Sequence, residues 1–433
     1  MKHSKEILRL AVPAIVTNIT VPLLGLVDLT IVGHMGSERY IAAVAVGSML
    51  FNVMYWLMGF LRMSTSGQTA QAFGAAAHGE IRRVLRRSLL MALVVACVFV
   101  LLQIPLEWLG ILMMHPEASI LPLVHTYFSI CIWGAPAMLS LYVLTGWFIG
   151  LQNTRITMVV SISQNVLNIL LSLLFVYLFG MKIEGVALGT MLAQWGGVGL
   201  ALLYLRREWK QIPSAADGND NGLSVARQVP GSTELSLFLR TVCLVSVNLF
   251  FTATGARQGN LLLSVNALLM TFFMLFSYFM DGFAYAAEAL CGRYYGAKSW
   301  DAFRGVCRSL LLWGAGMIIA FTIVYSCFGE WFLHLLTSEQ DVLAASRDYF
   351  PWVLLIPLAG MAAFIYDGIF IGITAARDMF IATAAATAIF FALFYLLFGS
   401  MGNHALWLAL IVYLLLRGVL LHLLLHRQLP SAK

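Results

Sequence analysis

Six ionisable side chains interrupt long apolar segments of this 433-residue chain. A charge at the centre of a membrane-spanning helix costs roughly 2.5–3.5 kcal/mol on insertion scales, so such residues are kept for binding or for pairing. The acids could bind a proton or a cation, and the arginines could neutralise the acids. The six residues are Asp28, Arg62, Asp281, Glu288, Asp367 and Arg417.

Asp28 is the only charged residue between Leu24 and Gly33. Because burial disfavours the charged form of a carboxylate, we expect Asp28 to bind and release a proton. The alternative is a structural acid that is hydrogen-bonded to neighbouring helices. Pro13 and Pro22 precede it in the same apolar stretch. A proline removes a backbone hydrogen bond, so either could let this helix bend.

Three more acids lie in the second half of the chain. Asp281 and Glu288 are seven residues apart and therefore share one face of a helix, and Asp367 is followed directly by Gly368. These acids favour a cationic guest or a coupling ion in that half. The alternative is pairing with Arg417 or with backbone groups of other helices.

Composition indicates a membrane protein. Hydrophobic residues make up 61% of the chain and charged residues 11%, whereas a soluble domain carries about 25% charged residues. The net charge of +6 is distributed as in membrane proteins and predicts no nucleic-acid partner. The six cysteines have no metal-ligand spacing, and we find no nucleophile, metal or nucleotide motif. We expect no enzyme activity and no cofactor, so uphill transport would use a proton or sodium ion gradient.

Windows of about 20 apolar residues predict twelve spanning helices. Most of the 26 Lys and Arg residues, Arg240 among them, fall on one side of the predicted spans, which places both termini in the cytoplasm. The long polar stretch 206–235 predicts a cytoplasmic linker between the halves 1–205 and 236–433. The predicted spans are 7–33, 40–72, 86–106, 119–150, 156–179, 184–205, 236–258, 262–294, 305–328, 341–372, 379–399 and 404–426.

The two halves also repeat one another at an interval of about 222 residues. Identical residues at this interval include Gly33 and Gly255, Gly150 and Gly372, and Arg155 and Arg377. Duplicated helix bundles are typical of secondary transporters. The predicted fold is therefore an all-α integral membrane protein of twelve transmembrane helices, in two six-helix halves related by a pseudo-two-fold axis along the membrane normal.

Several longer motifs resemble those of the multidrug and toxic compound extrusion (MATE) family, in its DNA-damage-inducible protein F branch, and the resemblance covers essentially the whole chain. These motifs are Val27-Asp28 to Gly33-His34, Phe60-Leu61-Arg62 to Phe73-Gly74, Asp281-Gly282-Phe283 to Glu288-Ala289, Asp367-Gly368 to Ile371-Gly372 and Gly402-Asn403-His404 to Ala409-Leu410.

The resemblance implies a V-shaped bundle that exports cationic or amphipathic compounds in exchange for protons or sodium ions. It implies that Asp28, Tyr127, Asn168 and Thr190 form a coupling site and that Pro13 is the hinge. Ser172 stands where many members carry a second acid, so Asp28 would act alone among carboxylates, which fits a proton better than sodium.

Together these expectations describe a monomeric, proton-coupled antiporter of lipophilic small molecules in the bacterial inner membrane. The alternatives are a sodium-coupled exporter of the same family and a flippase for lipid-linked intermediates, which would line its cavity with more Arg and Lys. An embedded enzyme or sensor would need a clustered reactive constellation, and buried acids in both halves argue against a scaffold.

Overall fold

The chain folds into helices with the predicted spacing. A computed structural model describes residues 3–34, 37–212 and 231–428, and these residues contain no β-strand. Eleven continuous or joined helical segments within them are long and apolar enough to cross a membrane. With α1 (Ser4–Gly33), which covers the remaining predicted span, they confirm the all-helical membrane fold.

Eight further helices follow in the first half of the chain. A 3-10 turn at Ile132–Gly134 joins the sixth helix to the seventh, and a π-helical segment, Leu174–Leu178, continues the eighth. The bounds of the eight helices are α2 (Glu38–Leu57), α3 (Phe60–Gly74), α4 (His78–Leu101), α5 (Gln103–Met114), α6 (Leu121–Cys131), α7 (Ala135–Gly150), α8 (Thr154–Leu173) and α9 (Ile183–Gln211).

Two details differ from the prediction. The span predicted over 40–72 is broken at Gly59, whose amide donates to the Trp56 carbonyl three residues earlier and so interrupts the α-helical pattern. The connection predicted after residue 106 is helical in α5, which exposes apolar side chains such as Ile104 and Met113 while Glu107 is buried against His125.

Six helices form the second half. The predicted linker 206–235 is shorter than expected at both ends, because α9 continues to Gln211 and α10 begins at Ser232; residues 213–230 lie outside the described part. The bounds are α10 (Ser232–Arg257), α11 (Asn260–Gly296), α12 (Trp300–Leu336), α13 (Gln340–Gly372), α14 (Ala376–Met401) and α15 (Asn403–Gln428).

Contacts divide the chain into two compact units. The described residues of Val16–Ala226 form the N-terminal unit, and those of Met1–Ile15 with Arg227–Lys433 form the C-terminal unit. The division differs from the predicted one because the start of α1 packs on the second half. A Cβ atom at Gly282 of α11 would lie 3.0 Å from the Ala11 carbonyl oxygen of α1, so the two backbones are in close contact.

Matching glycines hold one helix pair together in each unit. In the N-terminal unit α7 packs on α3, and a Cβ atom at Gly150 would lie 2.8 Å from the Ser66 carbonyl oxygen. In the C-terminal unit α13 packs on α11, and a Cβ atom at Gly372 would lie 2.7 Å from the Glu288 carbonyl oxygen. Gly150 and Gly372 are 222 residues apart, and so are their contacts Ser66 and Glu288. The sequence repeat is therefore a structural repeat.

The ends of these helices repeat as well. Ala76 and Lys298, again 222 residues apart, both have a φ of 53°. Gln152 and Thr374 form a second such pair, with φ values of 65° and 56°. Non-glycine residues adopt this left-handed conformation infrequently, so its recurrence at equivalent helix ends is a strong sign of duplication.

Candidate functional site

Asp28 lies in α1 within the N-terminal unit, and its side chain is half-buried. Its Oδ1 atom is buried, and no hydrogen-bond partner for it is present among the described residues. Buried polar atoms are nearly always paired, because an unpaired one has lost its water without compensation. A proton, a cation or a water molecule would satisfy a carboxylate oxygen in this position.

Tyr127 lies close to this carboxylate. It is buried in α6, and its hydroxyl oxygen is 3.1 Å from the Ser48 hydroxyl of α2. Asp28 is close enough to interact electrostatically with both Tyr127 and Cys131. Cys131, which the sequence did not single out, follows Tyr127 by four residues and so shares its helix face. The Cys131 thiol donates to the Ala187 carbonyl oxygen of α9 at 3.7 Å.

Asn168 and Thr190 form a second pair, between α8 and α9. The Asn168 side-chain amide donates to the Thr190 hydroxyl at 3.1 Å, and the Ser172 hydroxyl donates to the Asn168 side-chain oxygen at 3.4 Å. Ser172 is fully buried, so a neutral hydroxyl fills the place where an acid would stand. Within the described part of this unit, no hydrogen bond joins this pair to Asp28 or Tyr127.

Pro13 is buried in the first half of α1, which continues unbroken past it. The division between the two units falls between Ile15 and Val16, two residues after Pro13. Helix α1 therefore contributes its start to one unit and Asp28 to the other. A proline at this point leaves the helix one hydrogen bond short where it passes between the units.

Asp367 is not an isolated acid. Its Oδ2 atom accepts hydrogen bonds from Arg240 of α10 and from Arg417 of α15, and all three side chains are buried. The predicted alternative, pairing with Arg417, is therefore present. We call Asp367, Arg240 and Arg417 the buried ion triad. The sequence counted Arg240 among the positive charges of one side of the membrane and gave it no partner, whereas it is buried eight residues after α10 begins at Ser232.

The two remaining acids both lie on α11. Glu288 is 1% exposed, and its backbone carbonyl is the one that approaches Gly372 of α13. Asp281 is half-buried and interacts electrostatically with Tyr278 on its own helix. Asp367 is bound by the two arginines of the triad, and neither Asp281 nor Glu288 belongs to that triad.

Comparisons with known proteins agree with this architecture. A profile of the MatE family matches residues 13–174 and 237–397, one copy in each half. DNA damage-inducible protein F of Escherichia coli is 36% identical over 427 residues, which cover 96% of this chain and 90% of that protein. A probable multidrug resistance protein NorM of Thermotoga maritima is 22% identical over 350 residues, covering 79% and 74% of the two chains.

Solved structures show the same fold. The Vibrio cholerae MATE transporter VcmN superposes with a TM-score of 0.85 at 19% identity, over 99% of this chain and 97% of that one. A MATE transporter in the bent conformation gives a TM-score of 0.83, also at 19% identity, over 98% and 95%. The chain belongs to the MatE family of multidrug and toxic compound extrusion proteins, which are multi-pass membrane transporters of small molecules and not enzymes.

Proposed function

We propose that this protein is a proton-coupled antiporter that exports lipophilic, often cationic, small molecules across the bacterial inner membrane. It acts as a monomer in the lipid bilayer, with both termini in the cytoplasm. The observation that carries the proposal is the buried, unpartnered Oδ1 atom of Asp28 beside Tyr127. Protonation stabilises a buried carboxylate without a charged partner more than it stabilises one that is already paired with a cation.

The choice of a proton over sodium rests on the neighbours of Asp28. A sodium ion needs several oxygen ligands, whereas a single proton neutralises a carboxylate completely. Ser172 replaces the second acid, and the Asn168 oxygen and the Thr190 hydroxyl already bond to neutral partners. One carboxylate with few free ligands therefore favours a proton, and sodium is the competing outcome of the test.

The choice of cationic guests over lipid-linked phosphates rests on the buried arginines. A flippase for phosphate-bearing lipids would present free guanidinium groups to its cargo. Arg240 and Arg417 are 3% and 5% exposed and both bind Asp367, so their charge is directed at that acid. Asp28 is the acid that we expect to attract a cationic guest, and Asp281 and Glu288 stay candidates in the second half of the chain.

In the proposed cycle a proton from the periplasmic side reaches Asp28 and neutralises it. Helix α1 then bends near Pro13. The bend shrinks the cavity that holds the guest, and the guest is released. The boundary between the two units lies two residues after Pro13, within α1. This supports a hinge near Pro13, because a bend of α1 would fall where the helix leaves one unit and enters the other.

The test uses protein reconstituted in liposomes with a fluorescent lipophilic cation, an imposed pH gradient and a clamped membrane potential. We expect Asp28→Asn to abolish proton-driven transport while the variant stays folded. The matched control is Asp301→Asn, which removes an exposed carboxylate from the first turn of α12 and should transport normally. Unchanged transport by Asp28→Asn would reject the proposal, and transport that follows a sodium gradient at constant pH would replace the proton with sodium.

A further inference from the structure

A concentrated patch of positive charge lies where two helices of the N-terminal unit end on the same side. The N-terminal end of α4 and the C-terminal end of α9 together carry seven basic residues and only two acids, Glu80 and Glu208. The Arg82 guanidinium donates to the Ile212 carbonyl oxygen just after α9, at 2.8 Å, which joins the two helix ends. We call the seven residues the basic patch: Arg82, Arg83, Arg86, Arg87, Arg206, Arg207 and Lys210.

An aromatic ring organises the centre of the basic patch. The guanidinium carbons of Arg82 and Arg86 lie 5.0 and 6.0 Å from the centre of the Trp209 ring. Such cation–π contacts hold the two side chains near one surface and reduce the conformational entropy that they lose on binding a ligand. Two arginines and a tryptophan therefore form a prearranged group.

The two nearby acids already have partners. Glu80 forms an ion pair with Arg83, and the Glu208 carboxylate accepts a hydrogen bond from the Asn153 side-chain amide at 3.2 Å. The patch thus keeps a large excess of positive charge on a surface that is mostly exposed. Its α4 arginines also lie near the positive end of the helix dipole, where an anion stabilises and further cations do not.

The depth of the basic patch in the membrane follows from the residues beside it. On α4 the exposed apolar surface begins at Leu90, three residues after Arg87, which is about 4.5 Å along a helix. On α9 it ends at Leu203, three residues before Arg206. Charged groups directly next to lipid-facing apolar side chains lie at the level of the head groups, where tryptophan is also enriched.

We propose that the basic patch is a binding site for the head group of an anionic phospholipid, with its phosphate between Arg82 and Arg86 and its acyl chains along the exposed apolar surfaces of α4 and α9. A free phosphate ion would use the same guanidinium groups but would gain nothing from the apolar surface. None of its residues belongs to the candidate coupling site or to the buried ion triad.

The structural repeat supplies a matched control. Arg304 and Arg308 of α12 stand 222 residues after Arg82 and Arg86, and both are exposed. The position equivalent to Arg83 is Gly305, so the second copy carries fewer positive charges. If any exposed arginine pair attracted lipid, replacing the arginines of either copy would weaken lipid binding equally. If the basic patch is a specific site, only the substitutions in the first copy will weaken it.

Native mass spectrometry of the full chain in a neutral detergent can count bound lipids. We expect phosphatidylglycerol to bind the wild type more tightly than phosphatidylcholine does, and Arg82→Gln/Arg86→Gln to weaken phosphatidylglycerol binding by about tenfold or more. Arg304→Gln/Arg308→Gln should bind as the wild type does. When the wild type is saturated with phosphatidylglycerol, added inorganic phosphate should not displace the lipid.

A second variant separates binding from folding. Trp209→Leu keeps every charge and removes the ring, so we expect it to weaken phosphatidylglycerol binding less than the double arginine variant does. All three variants should elute from gel filtration as the wild type does. Equal lipid binding by the two double variants, or displacement of the lipid by inorganic phosphate, would overturn the proposal.

Discussion

Replacing Asp367 by asparagine tests the buried ion triad, because it removes one charge and almost no volume. Arg240, Asp367 and Arg417 are 3%, 7% and 5% exposed, so water can compensate little of the change. Removing one partner of a buried ion pair typically costs about 3–5 kcal/mol. Here a single carboxylate serves two guanidinium groups from different helices, so we expect Asp367→Asn to lower the free energy of unfolding by an amount near the upper end of that range.

The matched control is Asp378→Asn. Asp378 is half-buried in α14 and accepts one hydrogen bond, from Gln428 of α15, at 2.5 Å. Losing the charge there should cost about 0.5–1.5 kcal/mol, the usual value of one hydrogen bond. Unfolding by sodium dodecyl sulfate in mixed micelles, followed by tryptophan fluorescence or circular dichroism, measures both variants on one scale.

A double-mutant cycle with Arg417→Met completes the test. Because Arg417 and Asp367 are hydrogen-bonded, the effects of the two single substitutions on the free energy of unfolding should not add. Exposed ion pairs have coupling energies of about 0.2–1 kcal/mol, and we expect the coupling energy of this buried pair to be larger. If Asp367→Asn destabilises no more than Asp378→Asn, the triad does not hold the C-terminal unit together. Asp367 would then have to be considered again as a site for a guest or a coupling ion.

Two further perturbations test the packing and the candidate coupling site. We expect Gly372→Ala to lower the free energy of unfolding by about 1–3 kcal/mol, because the new methyl group would meet backbone atoms 2.7 and 2.8 Å away, whereas Gly199→Ala, with no atom within 4 Å, should be neutral or stabilising; equal effects in micelle unfolding would contradict the close contact. We expect Tyr127→Phe and Ser48→Ala each to cost about 1 kcal/mol and the double variant to cost less than their sum, since both remove the same hydrogen bond; strict additivity would show that the bond is not formed.

Most of the fold could be predicted because apolar length and the 222-residue repeat are properties of the linear sequence. The first fifteen residues show the limit of this reasoning. Hydropathy assigns all of α1 to the first half, but the contact of Ala11 with Gly282 places its start in the C-terminal unit. Which surface a helix packs on depends on residues far away in the sequence, and a window of 20 residues does not contain them.

Some residues of the candidate site could be predicted from the sequence and others could not, because their partners lie far away in the chain. Asp28 stands out because a charge among apolar residues is visible without any structure. Arg240 does not stand out, since a basic residue near a helix start is what the distribution of positive charge normally produces, and its partner Asp367 is 127 residues away. The position of Cys131 beside Tyr127 did not stand out either, because a cysteine in an apolar segment is usually a small packing residue.

The glycine contacts between α3 and α7, and between α11 and α13, have a consequence for how such a transporter can change during evolution. Gly372 meets only main-chain atoms of α11, and Gly150 meets the Ser66 carbonyl oxygen together with the Thr69 side chain of α3, so these contacts do not depend on the side chains that the helices present elsewhere. Substitutions that enlarge, shrink or recharge the guest-facing surface can accumulate while the helix spacing stays constant. A lineage can therefore acquire a new spectrum of exported compounds by changing side chains elsewhere, provided that Gly150, its neighbour Thr69 and Gly372 are kept.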